Sequence, residues 1–240
     1  MSTYLTRGVI ASILVLPSVA LGDLVVEYEG VGAGSYQMMA YNNSLNWDEA
    51  GSGSYVSLEA FQHEWTSVST GESYSTYCIQ LYQGVEFGDI VDFTIVDIAQ
   101  APEGPPSPGP MGQIKSSMMQ DLYARFYDEA LLQDDEYSTA FQLVIYEITH
   151  ENFVGSTANE FKNEMSYGTG AFQWQSASSA ISSIVNNMTS SLGVGGWISD
   201  PSLVGLVNDD YQDQAYYVPG PGALSLLAIT GICARNRRRR

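Results

Sequence analysis

Apolar and aromatic residues follow two rhythms along this chain. Over residues 23–98 they come in short runs: "DLVVEYEG", "GSYQMMAY", "GSYVSLEAF", "STYCIQLY" and "DIVDFTIVDI". Each run is rich in β-branched and aromatic residues and is bounded by Gly, Ser or Asn turns, which predicts strands. The prolines and glycines of "APEGPPSPGPMG" (101–112) then allow neither a helix nor a central strand. Beyond that connector, Ile114, Met118, Leu122 and Phe126 recur every four residues with Met119 and Tyr123 alongside, so "QIKSSMMQDLYARFYDEALL" predicts an amphipathic helix. "STAFQLVIYEITHE" predicts a second helix, capped by Ser138 or Thr139 and buried because it is apolar on most sides. "QWQSASSAISSIVNNMTSSLG" predicts a third, ending at Gly193, and "DQAYYVP" returns to strand. A strand-rich part (23–98), a helical part (113–193) and a final strand region (203–218) make an α+β domain with its helices segregated from the sheet.

The two ends have a different character. "MSTYLTRGVIASILVLPSVALGD" carries Arg7, an apolar core from Gly8 to Val19, and small residues at Ala20 and Gly22. That layout predicts a secretory signal over residues 1–22 and a mature start near Asp23. At the other end, "VPGPGALSLLAITGICARNRRRR" joins a Pro-Gly turn, a short apolar run and an arginine cluster. The run from Ala223 to Ala234 falls well below the ~20 residues of a stable span, and the arginines would stay cytoplasmic. Residues 218–240 resemble the PEP-CTERM sorting signal of bacterial envelope proteins, through Val218, Pro219, Pro221, the apolar run, and Arg235, Arg237, Arg238, Arg239 and Arg240. Gly220 stands where that family usually has glutamate. The resemblance implies export to the bacterial envelope or surface, with transient membrane retention and an exosortase-type processing enzyme as a partner.

Composition narrows the function classes. All 27 acidic residues lie between the two end segments, with only Lys115, Arg125 and Lys162 as basic counterparts. Such a surface repels nucleic acid and anionic lipid and attracts amines and cations; it is equally a solubility device in salty habitats. The body holds one cysteine, Cys78, since Cys233 lies in the tail. A lone thiol is unusual in an exported protein.

"TYCIQ" around Cys78 and "TAFQLVIYE" around Gln142 resemble the two signature blocks of the thioester domains of bacterial surface adhesins. Tyr77, Cys78 and Ile79 match the aromatic-Cys-Ile block; Gln142, Ile145 and Tyr146 keep the spacing of the glutamine block. Thr139 lies three residues before the glutamine instead of beside it, and Tyr146 replaces a tryptophan. The resemblance implies a domain over residues 23–217 with β-sandwich or barrel-like strands, and an internal thioester between Cys78 and Gln142. It also implies adhesion by covalent capture of an amine-bearing partner: a protein lysine, a polyamine or an amino sugar.

The chemistry can be argued from the residues. A primary amide is a poor electrophile, so a thiol reacts with it only when the fold holds the two together. Water competes, so the bond needs an apolar, aromatic shell, for which Tyr77, Ile79, Tyr82, Phe141 and Tyr146 are the candidates. A free Gln142 amide within "AFQLVIY" would be costly to bury without partners, and a thioester would remove its donors. The alternative is a Cys78 that is a small buried hydrophobe and a Gln142 that is a hydrogen-bonded core residue, in an envelope structural or matrix protein with no such bond.

Other constellations carry less. His63 and His150 lack metal-ligand spacing, and His150, two helical turns after Gln142, reads as a helix-end residue. "NDDYQDQ" offers Asp209, Asp210 and Asp213 to calcium but lacks the glycine and distal glutamate of an EF-hand, so a solvated acidic turn is the expectation. No nucleophile elbow, phosphate loop, zinc pattern or cofactor motif appears in the sequence. A turnover enzyme is not expected, and a hydrolase has only the generic Asp and Glu supply behind it.

Overall fold

A computed structural model describes residues 23–41, 55–103, 109–128, 131–175 and 178–218. The expected signal at 1–22 and the expected sorting tail beyond Val218 lie outside the described residues. The architecture is α+β: a seven-stranded sheet whose pairings are all antiparallel, with helices against one part of it.

The strands are β1 (Asp23–Tyr41), β2 (Val56–Ser67), β3 (Ser73–Cys78), β4 (Ile90–Asp97), β5 (Phe172–Gln175), β6 (Leu203–Val207) and β7 (Gln214–Tyr217). Their order is β2-β3-β7-β6-β4-β1-β5, and β1 also pairs with β2. Six strands therefore form a closed ring, which removes the exposed edges an open sheet would leave. β5 adds to the far end of β1, where Met38 to Tyr41 pair with Gln175 to Phe172. The last two strands insert between β3 and β4, so the sheet needs both ends of the domain.

Alternation assigns the faces. Leu24, Val26 and Tyr28 of β1 turn inward with Val91, Phe93 and Ile95 of β4. They meet Trp65, Val204, Leu206, Tyr216 and Val218 in the ring's own core. Val218 thus belongs to the folded domain, although the sequence pattern assigns it to the tail, and its N–H donates to the Ser202 carbonyl.

The second, larger core lies between the outer sheet face and the helices α1 (Gly112–Phe126), α2 (Asp135–His150), α3 (Ala158–Glu164) and α4 (Ser179–Ser191). α2 is its axis, buried from Ser138 to His150. Its Phe141, Leu143, Val144, Ile145 and Ile148 are fully enclosed, each contributing about 2 kcal/mol from burial. Its cap is Asp134, which accepts from the Tyr137 N–H at 2.9 Å. The helix therefore starts a turn before the expected Ser138 or Thr139. Those two residues instead tie α2 to β1: Ser138 Oγ donates to the Ala33 carbonyl, and Thr139 Oγ1 lies 2.9 Å from Ser35 Oγ.

Two other expectations are corrected. "DLVVEYEG" and "GSYQMMAY" are one strand, bent at register shifts between Tyr28 and Gly34. The third helix does not include "QWQ": Phe172–Gln175 is β5, and α4 starts only after its cap, Ser178. Among the described residues no helix is long and apolar enough to cross a membrane.

Candidate functional site

β3 runs up the ring beside β2 until Gln62 faces Tyr77, and beside β7 until Gln214 faces Cys78. Past Tyr77 the β2 side offers no further partner, and a side chain of α2 takes that place. The Cys78 N–H donates to Gln142 Oε1 at 3.1 Å, and Gln142 Nε2 donates to the Cys78 carbonyl at 2.8 Å. The carboxamide thus presents one acceptor and one donor, as the backbone of a neighbouring strand would. Cys78 and Gln142, 64 positions apart, are in direct contact.

This contact changes one sequence argument. The sequence makes the Gln142 amide expensive to bury unless chemistry removes its donors. In the fold it has hydrogen-bond partners on both its oxygen and its nitrogen, so its burial is compensated without a covalent bond.

The Cys78 sulfur has a separate set of partners. Its S–H reaches the Gln80 carbonyl, at 2.6 Å, and the Gln80 N–H points back at the sulfur, at 3.3 Å. The Tyr146 hydroxyl is shared between this sulfur and the Glu59 carbonyl, 3.2 Å away. Burial pushes the thiol far above its ordinary range. The Tyr146 and Gln80 hydrogen bonds oppose that rise, and the Asp213 and Glu59 charges add to it. Cys78 is therefore a protonated thiol at neutral pH, not a standing thiolate.

The five expected shell residues lie in or against the core that holds Cys78. Tyr77, Ile79, Phe141 and Tyr146 are all buried, with the Tyr77 and Phe141 rings 5.0 Å apart, edge to face. Tyr82 is half-buried at the rim of the same core. Cys78 and Gln142 have no exposed surface, so a reactant reaches them only when this wall opens.

A polar layer behind the sulfur is absent from the sequence reading. The Gln80 carbonyl also accepts from Gln212 Nε2 at 2.9 Å, the Gln212 carbonyl from Gln214 Nε2, and Gln214 Oε1 from Thr76 Oγ1 at 3.0 Å. Thr76 in turn accepts from the Trp65 indole N–H at 2.8 Å, so the chain of bonds runs into the ring's core. The alternate glutamines of "QDQ" carry this signal, as polar residues in a segment that otherwise reads as strand. Asp213 lies between them, and it is fully buried instead of solvated as expected. Its carboxylate accepts from the backbone N–H groups of Asn208 and Glu103, at 2.9 and 2.7 Å, and its carbonyl accepts from Ile79. Burial lifts its carboxyl to about 7, against the pull of those two hydrogen bonds.

The histidines are placed elsewhere. His150 ends α2, with Nδ1 2.7 Å from Thr149 Oγ1, and burial lowers it to about 3; burial on β2 lowers His63 to about 4. Both are neutral at physiological pH. Among the described residues no cluster of three or more His, Cys, Asp or Glu is placed to hold a metal ion. Set beside known proteins, the chain matches no family model, no curated protein and no solved structure.

Proposed function

We propose that this protein is an exported bacterial surface module that forms an internal thioester between Cys78 and Gln142 and spends it on covalent capture of an amine-bearing partner. The supporting observation is the direct contact of the Gln142 carboxamide with Cys78 inside a closed aromatic wall. The Cys78 N–H on Gln142 Oε1 polarises the carbonyl and would steady the oxygen's developing charge during attack. The S–H would leave the Gln80 carbonyl as sulfur adds to the amide carbon. The C–N bond then breaks and ammonia departs with the thiol proton. An incoming amine would reverse the logic: its nitrogen attacks the Gln142 carbon and is acylated, the C–S bond breaks, and the proton lost by the amine returns to the Cys78 thiol. The reaction uses one molecule of protein per bond and so is capture, not turnover. Export, sorting by the 218–240 segment and its exosortase-type processing belong to the same reading, supported by the sequence layout alone.

One observation favours a second reading. Both polar ends of the Gln142 amide are already bonded to Cys78, which suits a structural strut in a non-covalent envelope protein. Methylamine separates the two. Capture requires it to add once, at Gln142, and to release a Cys78 thiol for labelling, with both effects abolished in Gln142→Glu. A strut takes up no amine.

A further inference from the structure

Where β2, β3 and β7 adjoin, beside Gln62, the strand partner of Tyr77, lies a cleft of about 230 Å³. Tyr74, Tyr216 and Tyr217 line it together with Gln62 and Ser75, and Tyr127, from the connection after α1, closes it. The Tyr127 and Tyr217 rings lie 4.7 Å apart. On the side towards Gln142, Tyr127, Phe141 and Tyr77 make up the wall.

Of the residues that line this cleft, Ser73 and Gln133 among them, three spend their hydroxyl donors on carboxylates. Ser75 Oγ donates to Glu64, Tyr74 donates to Glu72, and the Tyr217 hydroxyl is bonded to Asp200. Spending those donors on carboxylates leaves oxygen lone pairs on Ser75 and Tyr74, while the Tyr217 oxygen also bonds Ser202. Gln62 points the same way. Ser138 donates to the Ala33 carbonyl, so the Tyr77 hydroxyl donates to Ser138 and accepts from Gln62. That bond uses the Gln62 amide nitrogen, and its Oε1 is a buried acceptor with no partner among the described residues. An unsatisfied buried acceptor is costly, and a small turn of the Gln62 side chain towards the cleft would let a ligand's donor relieve it. Among the described residues no Lys or Arg lines the cleft. A pocket of tyrosine faces and spare acceptors with carboxylates behind them suits a cation that carries its own N–H groups.

We infer that this cleft binds the ammonium end of an alkylamine, as in a lysine side chain or a polyamine. Its role as the docking site for the captured amine rests on the capture reading; the reversible binding does not. The test titrates cadaverine, its diol counterpart and glucose into the Cys78→Ala protein, which cannot form a thioester. Saturable binding of cadaverine alone is expected, weakened by salt and reduced about tenfold by Gln62→Leu and by the more exposed Tyr217→Leu. No saturable binding, equal binding of the diol or glucose, or indifference to both substitutions would overturn the inference. Cadaverine binding to Cys78→Ala alongside a wild-type protein that captures nothing would leave the cleft standing and remove the thioester. Capture by wild type without binding to Cys78→Ala would do the reverse.

Discussion

Gln142 holds its place by bonding a backbone group pair at the end of β3, and that role does not depend on chemistry. Gln142→Ala would leave the Cys78 N–H and carbonyl buried without partners and open a small void. A loss of about 3 kcal/mol in denaturant unfolding is expected; a loss near zero would show that the contact carries no weight. The pair is legible in the sequence because the two blocks announce it. Its bonding to the backbone is not, since hydrogen-bond geometry at a strand end leaves no trace in residue type. Glu147, one turn beyond Leu143 on α2, escapes a sequence reading because an acid inside a helical pattern reads as solvated. Burial lifts its carboxyl from 4.5 to about 8, with the Ser166 N–H and Lys115 opposing and Glu151 adding to the rise. The folded protein keeps a proton that the unfolded chain releases near 4.5, so this contribution is full below 4.5 and is lost as pH rises to about 8. The histidines act oppositely and lower down: their contribution is full above 6.5 and is lost on acidification towards about 4 and about 3. Asp213, half titrated at about 7, adds a smaller part to the loss between 7 and 8, and Lys115, lowered by burial to about 8, offsets a comparable part of it. Stability should therefore fall between pH 7 and 8 chiefly through Glu147. Glu147→Gln should flatten that fall in urea unfolding, and an unchanged slope would contradict the assignment.

Among the elements, the seat of α2 on β1 decides where Gln142 sits. β1 bends at Gly34, whose N–H donates to Asp135 Oδ1 at 3.0 Å, while Thr139 shares a hydrogen bond with Ser35 and Ser138 donates to the Ala33 carbonyl. Gly34 has φ +141°, and a Cβ there would stand 2.4 Å from the Ala60 carbonyl oxygen. Gly34→Ala forces both a disfavoured backbone and a backbone clash, for an expected cost of about 3 kcal/mol by denaturant unfolding. A cost within a few tenths would mean the bend is not needed. The same glycines explain why one strand reads as two: "GVGAG" looks like a turn in sequence, whereas pairing with β2 continues through it with shifted register. The cap of α2 is misread for a related reason. Ser138 and Thr139 are good capping residues, but their hydroxyls bond β1, and Asp134 takes the cap. The buried character of α2, by contrast, follows directly from its apolar run.

For the molecule as a whole, the charge balance sharpens when the three basic residues of the body are located. Lys115 Nζ donates to the Thr149 and Glu151 carbonyls at the end of α2. Lys162 does the same for Ser190 and Leu192 at the end of α4, and Arg125 joins Asp121 to the Val194 and Gly196 carbonyls. All three are spent on orphan carbonyls and a buried acid, which leaves the acidic residues to set the field at the surface. Cations and amines gather there, and under the proposed capture the closed wall over Cys78 and Gln142 would decide which of them react. The measurement that bears most directly on the bond is the intact mass of freshly purified native protein beside Cys78→Ala. A thioester makes the native protein lighter by one ammonia than its sequence requires, and Cys78→Ala restores the full mass for its own sequence. A native protein at full sequence mass, with a Cys78 thiol that labels on denaturation without any amine treatment, would contradict the thioester.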